Sequence, residues 1–186
     1  MRLAFALWHV EHTKPMTTEI APNLPHSAEP GPEMAALAPF YRDWTWTGTI
    51  EANGMGPGSP EMSGAGRAMC RMVQNGLWYA CDFEQEQRLA DGTFVLRWQL
   101  HWVTGWDARA GEYRASSADN NGPNLSLFRG QLEGNRLVYE SLTGELPRIR
   151  LTWILDDETH ARWRNEYTLD GSSWILVEEY RMEAPA

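Results

Sequence analysis

The run from Asp43 to Ile50 alternates large flat rings with threonine and glycine, and it places Trp44 and Trp46 two residues apart. Successive side chains of a strand point to opposite faces, so both indoles and Gly48 share one face. The 186 residues contain ten tryptophans. Each indole buries a large area and its N–H needs a partner. Such a chain either fills an unusual core or lines a pocket for a flat apolar molecule, and Gly48 would leave room for it.

Short alternating segments with frequent turn signals follow this first strand. We predict ten strands, over 42–51, 65–74, 77–89, 93–104, 112–118, 124–131, 136–142, 147–155, 161–169 and 172–182. The hairpin turns are Asn75-Gly76, Asp91-Gly92, Gly134-Asn135 and Asp170-Gly171. Successive hairpins without crossover helices indicate an all-β, closed up-and-down antiparallel barrel, because closure removes exposed strand edges.

Residues 34–186 form the predicted barrel domain, and residues 1–33 form an extended or disordered tail that contains several prolines. One short helix is predicted over 33–38. The apolar start from Met1 to Trp8 is brief, and charge follows at once without a cleavage site. We therefore expect a non-secretory extension, with Met16 as an alternative start, and a cytoplasmic protein.

The hairpin around Asp91-Gly92 pairs Phe83 with Leu100 and Asp82 with His101, on opposite faces of the sheet. The hairpin around Asp170-Gly171 gives a second aromatic face, on which Glu178 lies opposite Trp163. That face is predicted to hold Trp163, Asn165, Tyr167, Leu169, Trp174, Leu176, Glu178 and Tyr180.

Two cysteines, Cys70 and Cys81, face each other across the Asn75-Gly76 turn. Counting from a two-residue turn makes them a hydrogen-bonded pair, which is the wider kind. A disulfide is possible there, but the pattern favours two reduced, buried thiols.

The bulk charge excludes several classes of function. The net charge is −9 and the pI is near 5.0, with no basic stripe, so a nucleic-acid partner is not expected. No apolar run reaches the length of a membrane helix. Phosphate loops, nucleophile elbows and metal-ligand spacings are missing, so we expect neither a cofactor nor a metal.

The candidate site residues fall into two groups. The catalytic candidates are Glu178, His101 and Asp82: a carboxylate on an aromatic face acquires a raised pKa or a partner, and Asp82 could orient the His101 imidazole. The alternatives are a wet carboxylate at the barrel mouth and an ordinary charged outer face. The ligand-binding candidates are Trp44, Trp46, Trp98, Trp102, Asn120, Trp163, Asn165 and Trp174.

Several motifs resemble those of a bacterial family of unknown function with a lipocalin-like barrel. They are the segment from Gly105 to Tyr113, the opening from Leu37 to Gly48, the turn from Asp156 to His160 and Asp170-Gly171. The resemblance spans 34–182 and implies the fold. Nitrobindin-like haem barrels are a related comparison. They bind haem through a histidine near the end of the barrel, where this chain has His160 beside an acidic turn.

Three functional hypotheses stay open. The first is a binding protein for a small hydrophobic or aromatic molecule, and the second is a cofactor-independent lyase, cyclase or isomerase in the same pocket. The third is an oligomeric module, and a homodimer is compatible with each of the three. A haem-binding barrel is a further alternative to the first two.

Overall fold

The computed structural model describes residues 29–123 and 125–185, and they form one closed barrel of ten antiparallel strands. Each strand pairs with its neighbour in sequence, and β1 pairs with β10 to close the sheet. The fold-class prediction is confirmed. Most of the predicted tail, residues 1–28, lies outside the described residues. The elements are α1 Pro32–Leu37, β1 Trp44–Ile50, β2 Met62–Val73, β3 Trp78–Leu89, β4 Phe94–Asp107, β5 Glu112–Asp119, β6 Leu125–Glu133, β7 Arg136–Ser141, β8 Arg148–Leu155, β9 His160–Thr168 and β10 Ile175–Glu183.

The interior is built by the alternation that the sequence shows. On β1, Trp44, Trp46 and Ile50 are buried, and the threonines between them are exposed. Gly48 faces inward as expected, but it makes room for the ring of Tyr180 rather than for a ligand. A Cβ atom on Gly48 would lie 2.6 Å from Cδ1 of Tyr180 and 2.0 Å from the Glu179 carbonyl oxygen.

Helix α1 and the turn after it close one end of the barrel. The helix begins with a proline in its first turn, where no backbone donor is needed. Met34, Leu37, Phe40 and Tyr41 are buried there against the barrel core. The indole N–H of Trp44 donates to the Phe40 carbonyl at 2.9 Å and ties the turn to β1. We call this the plug end, and the opposite end the mouth.

A chain of buried hydrogen bonds joins the plug to the far wall. The indole N–H of Trp102 donates to the Tyr41 hydroxyl at 3.1 Å, and Tyr41 donates to the Tyr139 hydroxyl at 3.1 Å. The hydroxyls of Tyr139 and Thr104 lie 2.8 Å apart, and Thr104 donates to the Arg114 carbonyl at 3.0 Å. Because the Thr104 proton is used, Tyr139 is the donor in that pair. Every donor in the chain therefore has an acceptor.

The predicted register of the Asp91-Gly92 hairpin is confirmed. Phe83 pairs with Leu100, and Asp82 pairs with His101. A register shift occurs only near the turn, after Gln87.

The predicted register of the last hairpin is wrong for two reasons: the turn is longer than two residues, and β10 contains a bulge between Leu176 and Glu178. Beyond the bulge, Glu178 pairs with Asn165 instead of Trp163. This displacement of two residues leaves Glu178 on the inward face. Before the bulge, Ile175 pairs with Tyr167, a displacement of one residue. A shift of one exchanges the faces, which places Leu176 and Trp174 outside.

The expected thiol state of the cysteines is also corrected. Cys70 and Cys81 pair across β2 and β3 as predicted, but they form a disulfide with a Cα–Cα distance of 4.2 Å. The backbone N–H of Cys70 donates to the Asp43 carboxylate at 3.0 Å, so it points away from Cys81. The turn runs over the four residues from Gln74 to Leu77 instead of over two. As a result, Cys70 and Cys81 form a non-hydrogen-bonded pair, which is the narrower kind.

The motif from Gly105 to Tyr113 is a turn at the plug end. Oδ1 of Asp107 accepts the backbone N–H groups of Arg109 and Ala110, and Gly111 takes a positive φ of 67°. The rings of Trp106 and Tyr113 meet edge to face at 4.9 Å, and the Tyr113 hydroxyl donates to the Glu33 carbonyl in α1. The motif therefore anchors the plug. No described helix is long and apolar enough to cross a membrane.

Candidate functional site

The centre of the barrel contains a small cavity walled mainly by aromatic rings. Its volume is about 30 Å³. Ligand pockets usually measure about 300–1,000 Å³, and a cavity of this size holds on the order of two water molecules. The rings therefore fill an interior that ten strands alone would leave wider. The lining residues are Trp46, Phe83, Gln85, Trp98, Leu100, Trp102, Leu151, Trp153, Trp163, Tyr180 and Met182.

The wall is weakest on the mouth side of β4. Trp98 and Leu100 point inward but are partly exposed, whereas Trp102 below them is 1% exposed. The indole N–H of Trp98 lies 3.5 Å from a carboxylate oxygen of Asp119, at the long limit of a hydrogen bond. Trp98 is therefore the lining ring that is held least.

A buried carboxylate lies beside the cavity. Glu178 is 6% exposed, and both of its oxygens accept hydrogen bonds, Oε1 from Asn165 Nδ2 at 3.2 Å and Oε2 from the Tyr180 hydroxyl. Burial raises the pKa of Glu178, and the hydrogen bonds from Tyr180 and Asn165 oppose that rise. Burial and the nearby Glu178 charge raise the pKa of Tyr180 in turn. An acidic group therefore lies inside an aromatic barrel, as the sequence suggested.

Gln85 completes this polar cluster from β3. Oε1 of Gln85 accepts the Trp46 indole N–H at 3.0 Å, and because indole only donates, this contact fixes which way the amide points. Nε2 of Gln85 then makes no hydrogen bond among the described residues. The amide lies near enough to Glu178 to lower the pKa of that carboxyl, without hydrogen-bond geometry at Nε2.

A second donor in the cavity wall also has no acceptor. Nε1 of Trp163 is buried and unpartnered among the described residues. Its ring stacks on Tyr180, with centroids 5.4 Å apart and planes within 5°. Buried N–H groups without acceptors are rare in folded proteins. Two of them in one wall make the cavity a candidate binding site.

Not all predicted site residues reach the cavity. Trp46, Trp98, Trp102 and Trp163 line it, and Glu178 and Asn165 lie beside it. Trp44 lies at the plug end, 2% exposed, and lines no part of the cavity.

Trp174 and Asn120 serve the outside of the barrel. The Arg150 guanidinium lies 4.1 Å from the centroid of the Trp174 ring, on the outer face. Asn120 is exposed, and it accepts from the Gln99 backbone N–H at 3.0 Å while its Nδ2 donates to the Arg97 carbonyl at 2.9 Å. Its side chain therefore ties the connection between β5 and β6 to the backbone of β4.

The expected contact between Asp82 and His101 exists, but on the outer face. Nδ1 of His101 lies 2.7 Å from Oδ1 of Asp82, and Arg71 contacts the other carboxylate oxygen at 3.3 Å. The hydrogen bond from His101, followed by that from Arg71, lowers the pKa of Asp82. Both side chains are about half exposed and face away from the cavity, an arrangement typical of a charged outer face.

The interior does not fit a haem group. His160 lies at the plug-end rim, exposed, with its Nδ1 2.9 Å from Asp157. His101 is on the outer face, so neither histidine of the described residues points into the barrel. Contacts with Thr159 and His160 lower the pKa of Asp157 to about 2, which marks this as a tightly bonded turn.

The site residues chosen from the sequence omitted seven of the lining residues: Phe83, Gln85, Leu100, Leu151, Trp153, Tyr180 and Met182. Gln85 lies on the same face as Phe83 by simple alternation, and Trp153 shares its face with Leu151. That period of two was the available signal for both. Tyr180 was assigned to the aromatic face, but its hydrogen bond to Glu178 depends on packing over Gly48 and Gly64.

Comparisons with known proteins support the fold. The crystal structure of Rv2717c from M. tuberculosis matches with a TM-score of 0.58 and 13% sequence identity, over 85% of this chain and 100% of that chain. No curated protein matches the sequence. The model of the family described as "Protein of unknown function (DUF1579)" matches residues 29–182, so the chain belongs to that family.

Proposed function

We propose that this protein binds a small apolar or aromatic molecule in the centre of its barrel. The observation that carries the proposal is that five of the ten tryptophans line one cavity: Trp46, Trp98, Trp102, Trp153 and Trp163. Binding sites for small molecules are mostly apolar, with a few polar groups that fix orientation. Glu178 and Gln85 are such groups at this cavity.

A ligand has to displace side chains to enter. A preformed apolar cavity of about 150 Å³ takes up benzene in another protein, which is several times the space seen here. Trp98 is partly exposed and weakly held. Movement of its ring toward the mouth would open the cavity without breaking a strand pair.

Calorimetric titration with single-ring and two-ring aromatic compounds tests the proposal. We expect saturable binding of at least one compound. Binding to Trp98→Ala is expected to be tighter or faster, because the ring that has to move before a ligand enters is removed. Trp174→Phe is the matched control, since Trp174 lies on the outer face. Absence of binding to both the wild type and Trp98→Ala would refute the proposal.

An enzyme is the second candidate because a buried carboxylate with a raised pKa lies beside the cavity. Such groups act as general acids or bases in many active sites. Glu178→Gln would then abolish turnover of a bound compound while leaving its affinity unchanged. For either function, we also propose that the protein is cytoplasmic and forms a homodimer.

A further inference from the structure

The two unpartnered donors in the cavity wall define the polar end of the ligand. Nε2 of Gln85 and Nε1 of Trp163 are both buried without an acceptor in the part of the chain that the structure describes, and both residues line the cavity. Gln85 is 2% exposed, so its amide has no access to bulk water. A buried donor without an acceptor destabilises the protein, and a bound acceptor atom would remove that cost.

Other polar atoms in the cluster are already matched. Both oxygens of Glu178 accept protein donors, and Oε1 of Gln85 accepts from Trp46. The lining atoms that lack any partner among the described residues are both N–H donors, and a carbonyl oxygen would supply them with an acceptor.

The charge of the cluster restricts the ligand further. Glu178 is the acidic group in this wall, and the cavity lining contains no arginine or lysine. A ligand carboxylate would bring a second negative group into an apolar interior without a cation, which is strongly unfavourable.

We propose that the barrel binds a neutral aromatic carbonyl compound, whose ring packs among the indoles and whose oxygen accepts from Gln85 and Trp163. This inference rests on the proposed binding function and deepens it. The flat ring suits the tryptophan wall, and the carbonyl oxygen supplies an acceptor to N–H groups that lack one among the described residues.

Four single-ring probes of similar size separate the possibilities: acetophenone, ethylbenzene, 1-phenylethanol and benzoate. Isothermal titration gives the affinity of each for the wild-type protein. We expect acetophenone to bind more tightly than the other three. The decisive quantity is the ratio of the acetophenone affinity to the ethylbenzene affinity, because both share the ring and differ in the carbonyl oxygen.

Two variants remove one donor each. Trp163→Phe keeps an aromatic ring against Tyr180 and removes the N–H, which has no partner among the described residues. The smaller ring also enlarges the cavity, but it does so for acetophenone and ethylbenzene alike, so the ratio isolates the lost donor. Gln85→Met removes the amide but also strands the Trp46 N–H, so its folding is verified by thermal unfolding. Each variant is expected to lower the acetophenone-to-ethylbenzene ratio about fivefold, and Trp174→Phe is expected to leave it unchanged.

The outcomes distinguish this inference from the broader proposal. If no probe binds, the binding function fails and this inference fails with it. If the probes bind but the ratio is the same in the wild type and in Trp163→Phe, the function stands and the acceptor preference is refuted. Benzoate binding as tight as acetophenone would refute the neutral ligand.

Discussion

The hydrogen-bond chain at the plug end predicts how two tyrosine substitutions combine. In Tyr139→Phe, the Tyr41 hydroxyl loses its acceptor in a fully enclosed site, because Tyr41 is 4% and Tyr139 is 0% exposed. A buried donor without a partner costs about 1–3 kcal/mol, and each lost neutral hydrogen bond about 1 kcal/mol. We expect Tyr139→Phe to lower the free energy of unfolding by about 2–3 kcal/mol.

The direction of the chain makes the two substitutions non-additive. Tyr41→Phe strands the indole N–H of Trp102 instead, while Tyr139 still donates to Thr104, so its cost is also about 2–3 kcal/mol. Once Tyr41 is phenylalanine, removal of the Tyr139 hydroxyl breaks one bond and leaves no new donor unpaired. The double variant is expected to lose about 3 kcal/mol rather than about 5.

Urea unfolding of the four proteins at pH 7, followed by tryptophan fluorescence, measures this coupling. Tyr167→Phe is the control, because the Tyr167 hydroxyl makes no hydrogen bond with the described residues. If the free energy of unfolding falls with urea concentration at the same slope in all four proteins, the compactness of the folded and unfolded states is unchanged. Strict additivity of the two substitutions, within about 0.5 kcal/mol, would refute the chain as described.

Two further predictions concern Glu178 and the cysteines. The pKa of Glu178 is raised above its ordinary value of 4.5, so the folded state loses stability as pH rises from that value through the folded-state pKa. Glu178→Gln removes this loss, and matching pH profiles of urea unfolding for both proteins would contradict it. The Cys70–Cys81 disulfide predicts no reactive thiol in protein denatured without reductant, and reduction is expected to cost about 2–3 kcal/mol. Two titratable thiols per chain would contradict the disulfide.

The sequence predicted the barrel because the alternation of side chains and the positions of the turn residues agree along most of the chain. The alternation on β4 assigns Leu100 and Trp102 to the inside, and the Asp91-Gly92 turn independently pairs Leu100 with Phe83. Where the turn departs from the simplest form, the prediction failed. The four-residue turn before Trp78 made Cys70 and Cys81 a narrow pair instead of a wide one. The turn before Ile175 is longer than two residues and shifts the register by one, which places Trp174 outside.

The candidate site was predictable in its rings and not in its hydrogen bonds. Period two was sufficient to place Trp46, Trp98 and Trp163 inside. The contact between Tyr180 and Glu178 lies within one strand, but it requires the glycines at 48 and 64 to be next to that ring. The role of Gln85 depends on which atom of its amide meets Trp46, and residue type alone does not specify that.

The two polar clusters of this barrel differ in how completely their hydrogen bonds are satisfied, and this difference supports the proposed binding site. At the plug end, every donor from Trp102 to Thr104 has an acceptor, so the cluster is complete as a structural element. Beside the cavity, Gln85 and Trp163 keep N–H groups with no acceptor among the described residues, although an apolar ring at 163 would avoid one of these costs. Folding alone therefore accounts for the first cluster and not for the second. The incomplete cluster is where a bound molecule would supply what the chain lacks.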